Sequence, residues 1–339
     1  MPNSELPAQQ IVVVGSGGNI GSHLVPHLGR LPGLKRIGLI DPDSYEEHNL
    51  ASQAICPGDI GRKKVQVQAQ LLQSLNPFLQ VWALPERVED VPLGQLRCQL
   101  LLSCLDSRLS RCWVNEAAVR LGIPWIDAGV QGEGLLARIN VYPGSPDAPC
   151  LECPWDEEDY ANLGVRYRCL ENTPGNVPRA APTHAPSSLG ALAASLQALE
   201  CQKLLAGSGE VSYSRQVLVD ARHHRHFVTE LTRNLRCRFD HRKWQITQLQ
   251  VAPQELTLGD ALALPGELPG ESSRESASRL EVEKHPFVTA LCCPSCGHQR
   301  PMLRLLKRIT PSQRACPHDA CGGELVPVPA LHLEDELVL

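Results

Sequence analysis

Short apolar runs alternate with stretches of helical periodicity along the first two thirds of the chain. The runs that predict strands are 11–14, 37–40, 100–105, 125–127 and 217–219, and the periodic stretches that predict helices are 23–31, 64–75, 107–121 and 189–205. Strands joined by helical crossovers pair in parallel, because each crossover returns the chain to the same end of the sheet. The pattern predicts an α/β fold in which a Rossmann-like, mostly parallel sheet carries helices on both faces.

Two changes of character interrupt this pattern and suggest how the chain is divided. Residues 155–188 are polar, rich in proline and too long for an ordinary connection, which is typical of a functional loop or of a partly disordered segment. Beyond Trp244 the stretch 266–278 is rich in Gly, Ser and Glu and predicts a linker. We therefore expect a large nucleotide-binding domain over residues 1–245, a connecting segment at 246–284 and a small domain at 285–339.

A glycine-rich turn separates the first predicted strand from the first predicted helix. Gly15, Gly17, Gly18 and Gly21 lack side chains that would keep phosphates from the backbone N–H groups at the start of the helix. Asp41 ends the second strand about twenty residues later, where a carboxylate can accept hydrogen bonds from ribose hydroxyls. The arrangement predicts a nucleotide site at the carboxyl edge of the sheet.

The residues around this turn favour a triphosphate over a dinucleotide. The dinucleotide pattern has glycine at the position of Ile20 and none at that of Gly18. Downstream, Lys64 and Arg111 supply cations and Asp106 supplies a carboxylate that can hold Mg²⁺. Hydride transfer requires neither group, whereas cleavage of a triphosphate uses both. An NAD-dependent oxidoreductase is thus a disfavoured alternative.

Taken together, GSGGNIG at 15–21, the acid at Asp41, NLASQ at 49–53, GRKK at 61–64 and DSRLSRCWVN at 106–115 resemble the ThiF/MoeB/HesA family. That family includes the adenylating core of ubiquitin-activating enzymes, and the resemblance covers residues 9–244. It implies that Asp41 binds ribose and that Asn49 and Lys64 contact the phosphates of ATP. It also implies that Asp106 holds Mg²⁺, with Arg111 and Asn115 lining the site.

One position departs from the family pattern. Ser52 stands in NLASQ where the family usually carries an arginine that meets the triphosphate. Either Arg62, Lys63 or a neighbouring subunit replaces this cation, or the activity is low.

Fourteen cysteines among 339 residues are an unusual number for a chain with no predicted signal peptide or spanning helix. We expect a cytoplasmic protein, and in that reducing compartment cysteines serve more often as metal ligands or nucleophiles than as disulfides. Cys150 and Cys153 form a CxxC, which suits a zinc knuckle or a redox pair. The family resemblance implies that Cys237 and His241 complete this site as a Cys₃His set.

The cysteine-rich tail contains two further knuckles. Cys293 and Cys296 are separated by 19 residues from Cys316, which lies close to Cys321, and glycines follow both knuckles. A segment this short requires a metal cross-link to fold, so we predict a zinc ribbon and two Zn²⁺ ions per chain. Cys292 is an alternative ligand to Cys293, and His318 is an alternative to Cys316 or Cys321.

The loop between the CxxC and the last helix contains a candidate nucleophile. Cys169 lies among Arg166 and Arg168, whose charges favour the thiolate. In one hypothesis the protein adenylates the C-terminal glycine of a ubiquitin-like protein and accepts the acyl group on Cys169, before transfer to a conjugating partner. Alternatively, it stops at adenylation of a sulfur-carrier protein, or it is a catalytically weakened nucleotide-binding adaptor.

The remaining expectations concern partners. The family resemblance implies a homodimer or a complex with an equivalent subunit. The formal charge of −5 gives no general attraction to nucleic acid or to anionic membranes.

Overall fold

The structure is a computed structural model that describes residues 9–161, 163, 185–207, 210–246, 257–262, 279–280, 286–318, 321–330 and 333–334. The chain divides into two compact units, Met1–Thr247 and Gln248–Leu339. Cys169 and most of the 155–188 loop lie outside the described residues. None of the helices in the described ranges is long and apolar enough to cross a membrane.

The first unit is built around an eight-stranded sheet in the order β3-β2-β1-β4-β5-β6-β7-β8. Its strands are β1 (Gln10–Val14), β2 (Arg36–Ile40), β3 (Gln80–Leu84), β4 (Leu100–Ser103), β5 (Trp125–Gln131), β6 (Leu136–Tyr142), β7 (Arg215–Asp220) and β8 (Arg225–Glu230). The first five strands pair in parallel, and β5 to β8 pair antiparallel. The predicted mostly parallel sheet is confirmed, and an antiparallel half extends it.

Helices lie on both faces of this sheet, as predicted. They are α1 (Asn19–Leu28), α2 (Lys64–Leu75), α3 (Arg108–Leu121), the short α4 (Glu157–Ala161) and α5 (Ser187–Ala206). One core lies between the sheet and helices α1, α2 and α5, and a second core lies between the opposite face and α3. The central strand β1 is buried at all five positions, which accounts for its unbroken apolar run.

Local sequence signals set the two ends of helix α3. The Ser107 side chain caps its start by accepting a hydrogen bond from the Ser110 N–H at 3.3 Å. Gly122 ends it in the left-handed conformation, at φ 67°, which glycine adopts without strain.

The second unit is small, as a cysteine-rich tail suggests. A three-stranded antiparallel sheet contains β10 (Phe287–Cys292), β11 (Gln299–Leu305) and β12 (Val326–Ala330), with β10 in the centre. The unit also contains helix α6 (Leu258–Leu262), the two-residue strands β9 (Arg279–Leu280) and β13 (Leu333–Glu334), and short 3₁₀ helices at Leu306–Arg308 and Pro311–Arg314. Its buried hydrophobic residues among those described are few: Phe287, Val288, Leu291, Cys293, Ile309 and Leu325.

Candidate functional site

The glycine turn packs so closely that side chains are excluded at two positions. Gly15 has φ +78°, and a Cβ there would lie 2.7 Å from the Cys104 carbonyl oxygen. A Cβ at Gly21 would lie 2.1 Å from the Gly15 carbonyl oxygen. These contacts draw the turn against the end of β4 and bring the start of α1 to the carboxyl edge of the sheet.

At Gly17, a side chain would collide with the side chain of Lys64 and not with backbone atoms. A Cβ at Gly17 would lie 2.4 Å from the Lys64 Cβ, so the lysine stem crosses the turn at this glycine. Lys64 is buried, and its Nζ lies 3.1 Å from Asp43 Oδ2. Lys64 and the glycine turn that is predicted to bind phosphate are therefore in direct contact.

The N-terminus of α1 has free donors. Gly18 precedes the helix in an extended conformation without a side-chain cap, and the first turn contains no acidic residue. The N–H groups of a first helical turn have no partners within the helix, and its dipole favours anions. This end of the helix can bind phosphate.

Asp41 lies beside this end of the helix. One carboxylate oxygen accepts the Gly17 N–H at 2.9 Å, and the other accepts the Asp43 N–H at 3.1 Å. Burial raises the pKa of Asp41. A buried carboxylate at this position disfavours close approach of phosphate but suits hydroxyl donors such as those of ribose.

The segment 46–53 places Asn49 in the protein interior, where its amide oxygen already accepts a hydrogen bond. Asn49 is buried, and its Oδ1 accepts the Glu46 N–H at 2.9 Å. Ser52 follows at the end of the same turn, with its N–H on the Asn49 carbonyl at 3.1 Å. Asn49 thus holds the shape of this segment.

The candidate replacements for the arginine at position 52 differ in their contacts. Arg62 is bound to Asp59 at 3.1 Å and to Gln70, so its guanidinium already has two side-chain partners. Lys63 donates to the Pro42 carbonyl at 2.8 Å, one residue after Asp41. Of the two, only Lys63 is without an acidic partner in the described part of the chain.

Asp106 and Arg111 follow β4 at the same edge of the sheet. Asp106 is exposed, and no side-chain partner is seen for it among the described residues, so its carboxylate can bind a cation.

Arg111 donates from Nε to Asp127 Oδ1 at 3.0 Å and from Nη2 to the Leu105 carbonyl. Asp127 is fully buried, and Arg138 Nη1 lies 3.3 Å from its second oxygen. Sequence patterns did not identify Asp127 or Arg138.

Asn115 lies farther along α3, against the CxxC. It is fully buried, and its Oδ1 accepts the Leu151 N–H at 3.0 Å. Arg120, one helical turn on, pairs with Asp240 at 2.5 Å. The same helix therefore carries Arg111 and contacts Leu151 and Asp240, which are sequence neighbours of Cys150 and His241. We define Cys150, Cys153, Cys237 and His241 as the first cysteine group.

The first cysteine group brings together residues almost ninety positions apart. Sγ of Cys150 lies 3.9 Å from Sγ of Cys153 and 3.9 Å from Sγ of Cys237, and His241 Nε2 lies 3.6 Å from Cys153 Sγ. Tetrahedral zinc with Zn–S bonds of about 2.3 Å separates its sulfurs by roughly 3.8 Å. The donor set and spacing fit one zinc ion, and these residues can hold it.

Hydrogen bonds within this group favour a thiolate. The bond with Cys150 lowers the pKa of Cys153 to about 4, and the Asn234 N–H, 3.4 Å from Cys153 Sγ, acts in the same direction. Thiolates are the form in which cysteine binds metal.

The tail cysteine group consists of Cys293, Cys296, Cys316 and Cys321. Sγ of Cys293 lies 3.6 Å from that of Cys321, and Sγ of Cys296 lies 3.6 Å from that of Cys316. All four sulfurs lie within 4.8 Å of one another, and neither Cys292 nor His318 belongs to the group. A Cys₄ set of this size also fits one zinc ion, which gives the chain two groups able to bind zinc.

The comparisons with known proteins concern the first unit. The model of the ThiF family matches residues 3–239. A sulfur carrier protein adenylyltransferase of Thermus thermophilus is 32% identical over 239 residues, which are 68% of this chain and 82% of that protein. The SAMP-activating enzyme E1 of Haloferax volcanii is 27% identical over 220 residues, 64% of this chain and 74% of that protein.

Two further matches cover a smaller share of the known protein. The NEDD8-activating enzyme E1 catalytic subunit of Saccharomyces cerevisiae is 33% identical over 181 residues, 48% of this chain and 59% of that protein. The crystal structure of E. coli MccB with ATP superposes with a TM-score of 0.55 at 23% identity, and the match covers 68% of this chain and 65% of that one. At this level of identity, the structural match describes the fold only.

Proposed function

Because the chain belongs to the ThiF family, we propose that it catalyses the ATP-dependent adenylation of the C-terminal carboxylate of a small ubiquitin-like or sulfur-carrier protein. The observation that carries this proposal is the convergence of Gly17, Lys64 and Asp41 at one sheet edge, with Asp106 exposed after β4, the strand that pairs with β1. Phosphate donors, a cation, a ribose acceptor and a free carboxylate are the groups that this reaction uses.

In the proposed reaction, a carboxylate oxygen of the carrier attacks the α-phosphorus of ATP. The bond from this phosphorus to the bridging oxygen breaks, and pyrophosphate leaves with the bonding electrons. The N–H groups at the start of α1 and the Lys64 ammonium would bind phosphate oxygens, and Asp41 would fix the ribose. Asp106 is the residue that would hold Mg²⁺, which neutralises charge on the departing pyrophosphate. The product is a carrier–AMP mixed anhydride.

A second step would distinguish an activating enzyme from an adenylyltransferase. We infer that the Cys169 thiolate attacks the carbonyl carbon of the anhydride, so that a thioester forms and AMP leaves before transfer to a conjugating partner. The flanking Arg166 and Arg168 support this proposal, because positive charge lowers the pKa of a thiol. Incubation with a carrier, ATP and Mg²⁺ followed by a non-reducing gel tests it. We expect a thiol-sensitive adduct that Cys169→Ala cannot form, and an adduct that survives this substitution would contradict the proposal.

A sulfur-carrier substrate without an enzyme thioester is the second candidate. The 32% identical relative from Thermus thermophilus, whose name gives this activity, favours it. Carrier-dependent exchange of pyrophosphate into ATP without an adduct on any cysteine would select this candidate. Tight ATP binding without exchange would instead indicate a nucleotide-binding adaptor.

The two cysteine groups support a structural role for zinc in this proposal. Zinc at the first group would tie the CxxC, next to Asn115 on α3, to residues 237–241. Zinc at the tail group would add a cross-link to the small core that the described residues of the second unit form. We also propose a homodimer, in line with the family resemblance, and measurement of the molar mass in solution tests this.

ATP–pyrophosphate exchange tests the adenylation itself. Carriers ending in glycine, including the sulfur carrier protein of Thermus thermophilus, are mixed with the protein, Mg·ATP and labelled pyrophosphate. We expect exchange that requires a carrier and that falls at least tenfold in Lys64→Ala, since one charge-assisted contact contributes about 1.5–3 kcal/mol. Lys35→Ala is the matched control, because Lys35 lies at the opposite, amino end of β2. Equal loss in both variants would contradict the role of Lys64.

A further inference from the structure

Arg138 on β6 lies outside every motif of the sequence, but strand register places it beside the candidate site. The pairing of β5 to β8 sets Gly129, Arg138, Leu218 and Phe227 opposite one another in a single row. Directly opposed residues of antiparallel strands share a face of the sheet. Asp127, two residues before Gly129, points to that same face.

Two positively charged side chains, Arg111 and Arg138, lie next to the single negative charge of Asp127. Asp127 Oδ1 accepts Arg111 Nε at 3.0 Å and Ser103 Oγ at 2.7 Å. Asp127 Oδ2 is buried without a hydrogen-bond partner in the described residues, although Arg138 Nη1 lies 3.3 Å away. The two guanidinium groups and one carboxylate leave a net charge of about +1, which favours a second anion.

Arg138 keeps donors available for that anion. Besides Asp127, its described polar neighbour is the Asn140 amide, whose oxygen accepts from Nη1 at 2.6 Å in one of its two orientations. A guanidinium has five N–H donors, so most of those on Arg138 are unused in the described part of the molecule. The Arg138 side chain is 29% exposed, compared with 12% for Arg111.

Gly129 opens the space in which the two guanidinium groups meet. A Cβ at this position would lie 3.2 Å from Arg111 Nη2 and 3.2 Å from Arg138 Nε. No side chain at position 129 therefore separates the two arginines, and a planar carboxylate can approach both from above the sheet.

This pair of arginines borders the nucleotide edge through short contacts. Arg111 Nη2 donates to the Leu105 carbonyl, directly before Asp106. The Leu105 side chain in turn lies 3.3 Å from the position of a Cβ on Gly15 in the glycine turn. In the opposite direction along the row, Leu218 is partly exposed and Phe227 is 44% exposed, which provides apolar surface beside the charge.

We propose that Arg138, together with Arg111, binds the C-terminal carboxylate of the carrier protein before adenylation. This inference rests on the proposed function and adds a substrate-binding residue to it. Two guanidinium groups would offset the repulsion between the carboxylate and the triphosphate while presenting an oxygen towards the α-phosphorus. Arg111 is already committed to three oxygen atoms of the protein, so Arg138 supplies most of the new bonds.

A comparison of two carrier forms tests this contact without relying on catalysis. The sulfur carrier protein of Thermus thermophilus is prepared with a C-terminal carboxylate and with a C-terminal amide, and binding of each is measured by titration without ATP. We expect the native protein to bind the carboxylate form about tenfold or more tightly than the amide, the difference made by one hydrogen bond between charged groups. In Arg138→Gln this ratio falls to about one, and Arg138→Lys restores part of it.

Arg225→Gln is the matched control. Arg225 is exposed on β8, two residues from Phe227 and on the same face, but it does not contact Asp127. The ratio should be unchanged in this variant, and thermal unfolding should show both variants folded. An unchanged ratio in Arg138→Gln, or a native protein that does not favour the carboxylate form, would overturn the inference. Absence of carrier-dependent exchange in the native protein would instead refute the proposed function.

Discussion

Substitution of Gly17 by alanine perturbs the nucleotide turn by a single methyl group. The added Cβ would lie 2.4 Å from Cβ, 2.8 Å from Cδ and 2.9 Å from Cγ of Lys64. Carbon atoms prefer separations of about 3.5–4.0 Å, so the lysine stem must move by roughly 1 Å. Because this stem is buried and its ammonium group is paired with Asp43 at 3.1 Å, the displacement moves the cation away from the turn.

Two costs follow from that displacement. Overpacking of a buried site costs about 1–3 kcal/mol of stability. Loss of one hydrogen bond between charged groups costs about 1.5–3 kcal/mol of nucleotide binding, which corresponds to a roughly tenfold to hundredfold weaker affinity for ATP. The backbone N–H groups of the turn remain, so residual binding is expected.

Gly18→Ala provides the control within the same turn. The nearest atoms to a Cβ there are carbonyl oxygens of Cys104 and Gly15, both at 3.8 Å, which is ordinary contact. Its φ of −72° suits alanine, and loss of glycine at a helix N-cap costs less than about 1 kcal/mol.

Titration with a fluorescent ATP analogue and urea unfolding of both variants test the reasoning. We expect Gly17→Ala to bind at least tenfold more weakly and Gly18→Ala to bind within about threefold of the native protein. Equal effects of the two substitutions, or native affinity in Gly17→Ala, would refute the assignment of Lys64 to the nucleotide turn.

Three further outcomes concern the cysteines and α3. Elemental analysis should find two zinc ions per chain, and Cys150→Ser or Cys293→Ser should each remove one; a single ion in the native protein would contradict the division into two groups. At pH 8, iodoacetamide should modify the exposed Cys56 but leave Cys201 unmodified. Burial raises the pKa of Cys201 to about 12, and only the thiolate reacts. Peptide mass mapping that finds both cysteines modified would contradict this prediction. Asn115→Ala should reduce the retention of zinc against a chelator about tenfold, because loss of a supporting hydrogen bond has this effect at other metal sites. Unchanged retention would contradict a role for Asn115 at the zinc site and limit that residue to the nucleotide edge.

The parallel strands could be predicted from sequence because burial on both faces produces continuous apolar runs. The same reasoning did not identify β3, because it is an edge strand that is only partly buried.

Membership of the ThiF family, inferred from motifs, is confirmed by the match over residues 3–239. The positions of Arg138 and Asp127 could not be predicted, because strand register and not a local motif brings them to the nucleotide edge. Cys237 and His241 were assigned by resemblance, since their separation in sequence from Cys150 has no local signal. The predicted thioester on Cys169 and its conjugating partner stay predictions.

Transfer of label from ATP carrying radioactive α-phosphate tests the central claim most directly. The protein is incubated with Mg²⁺, a glycine-terminated carrier protein and this ATP, and the carrier and nucleotides are separated. We expect label on the carrier as an acyl-adenylate and labelled AMP as the only nucleotide product, with pyrophosphate released in an amount equal to the carrier adenylate and AMP together. Labelled ADP with free phosphate, or label that never reaches any carrier, would contradict it.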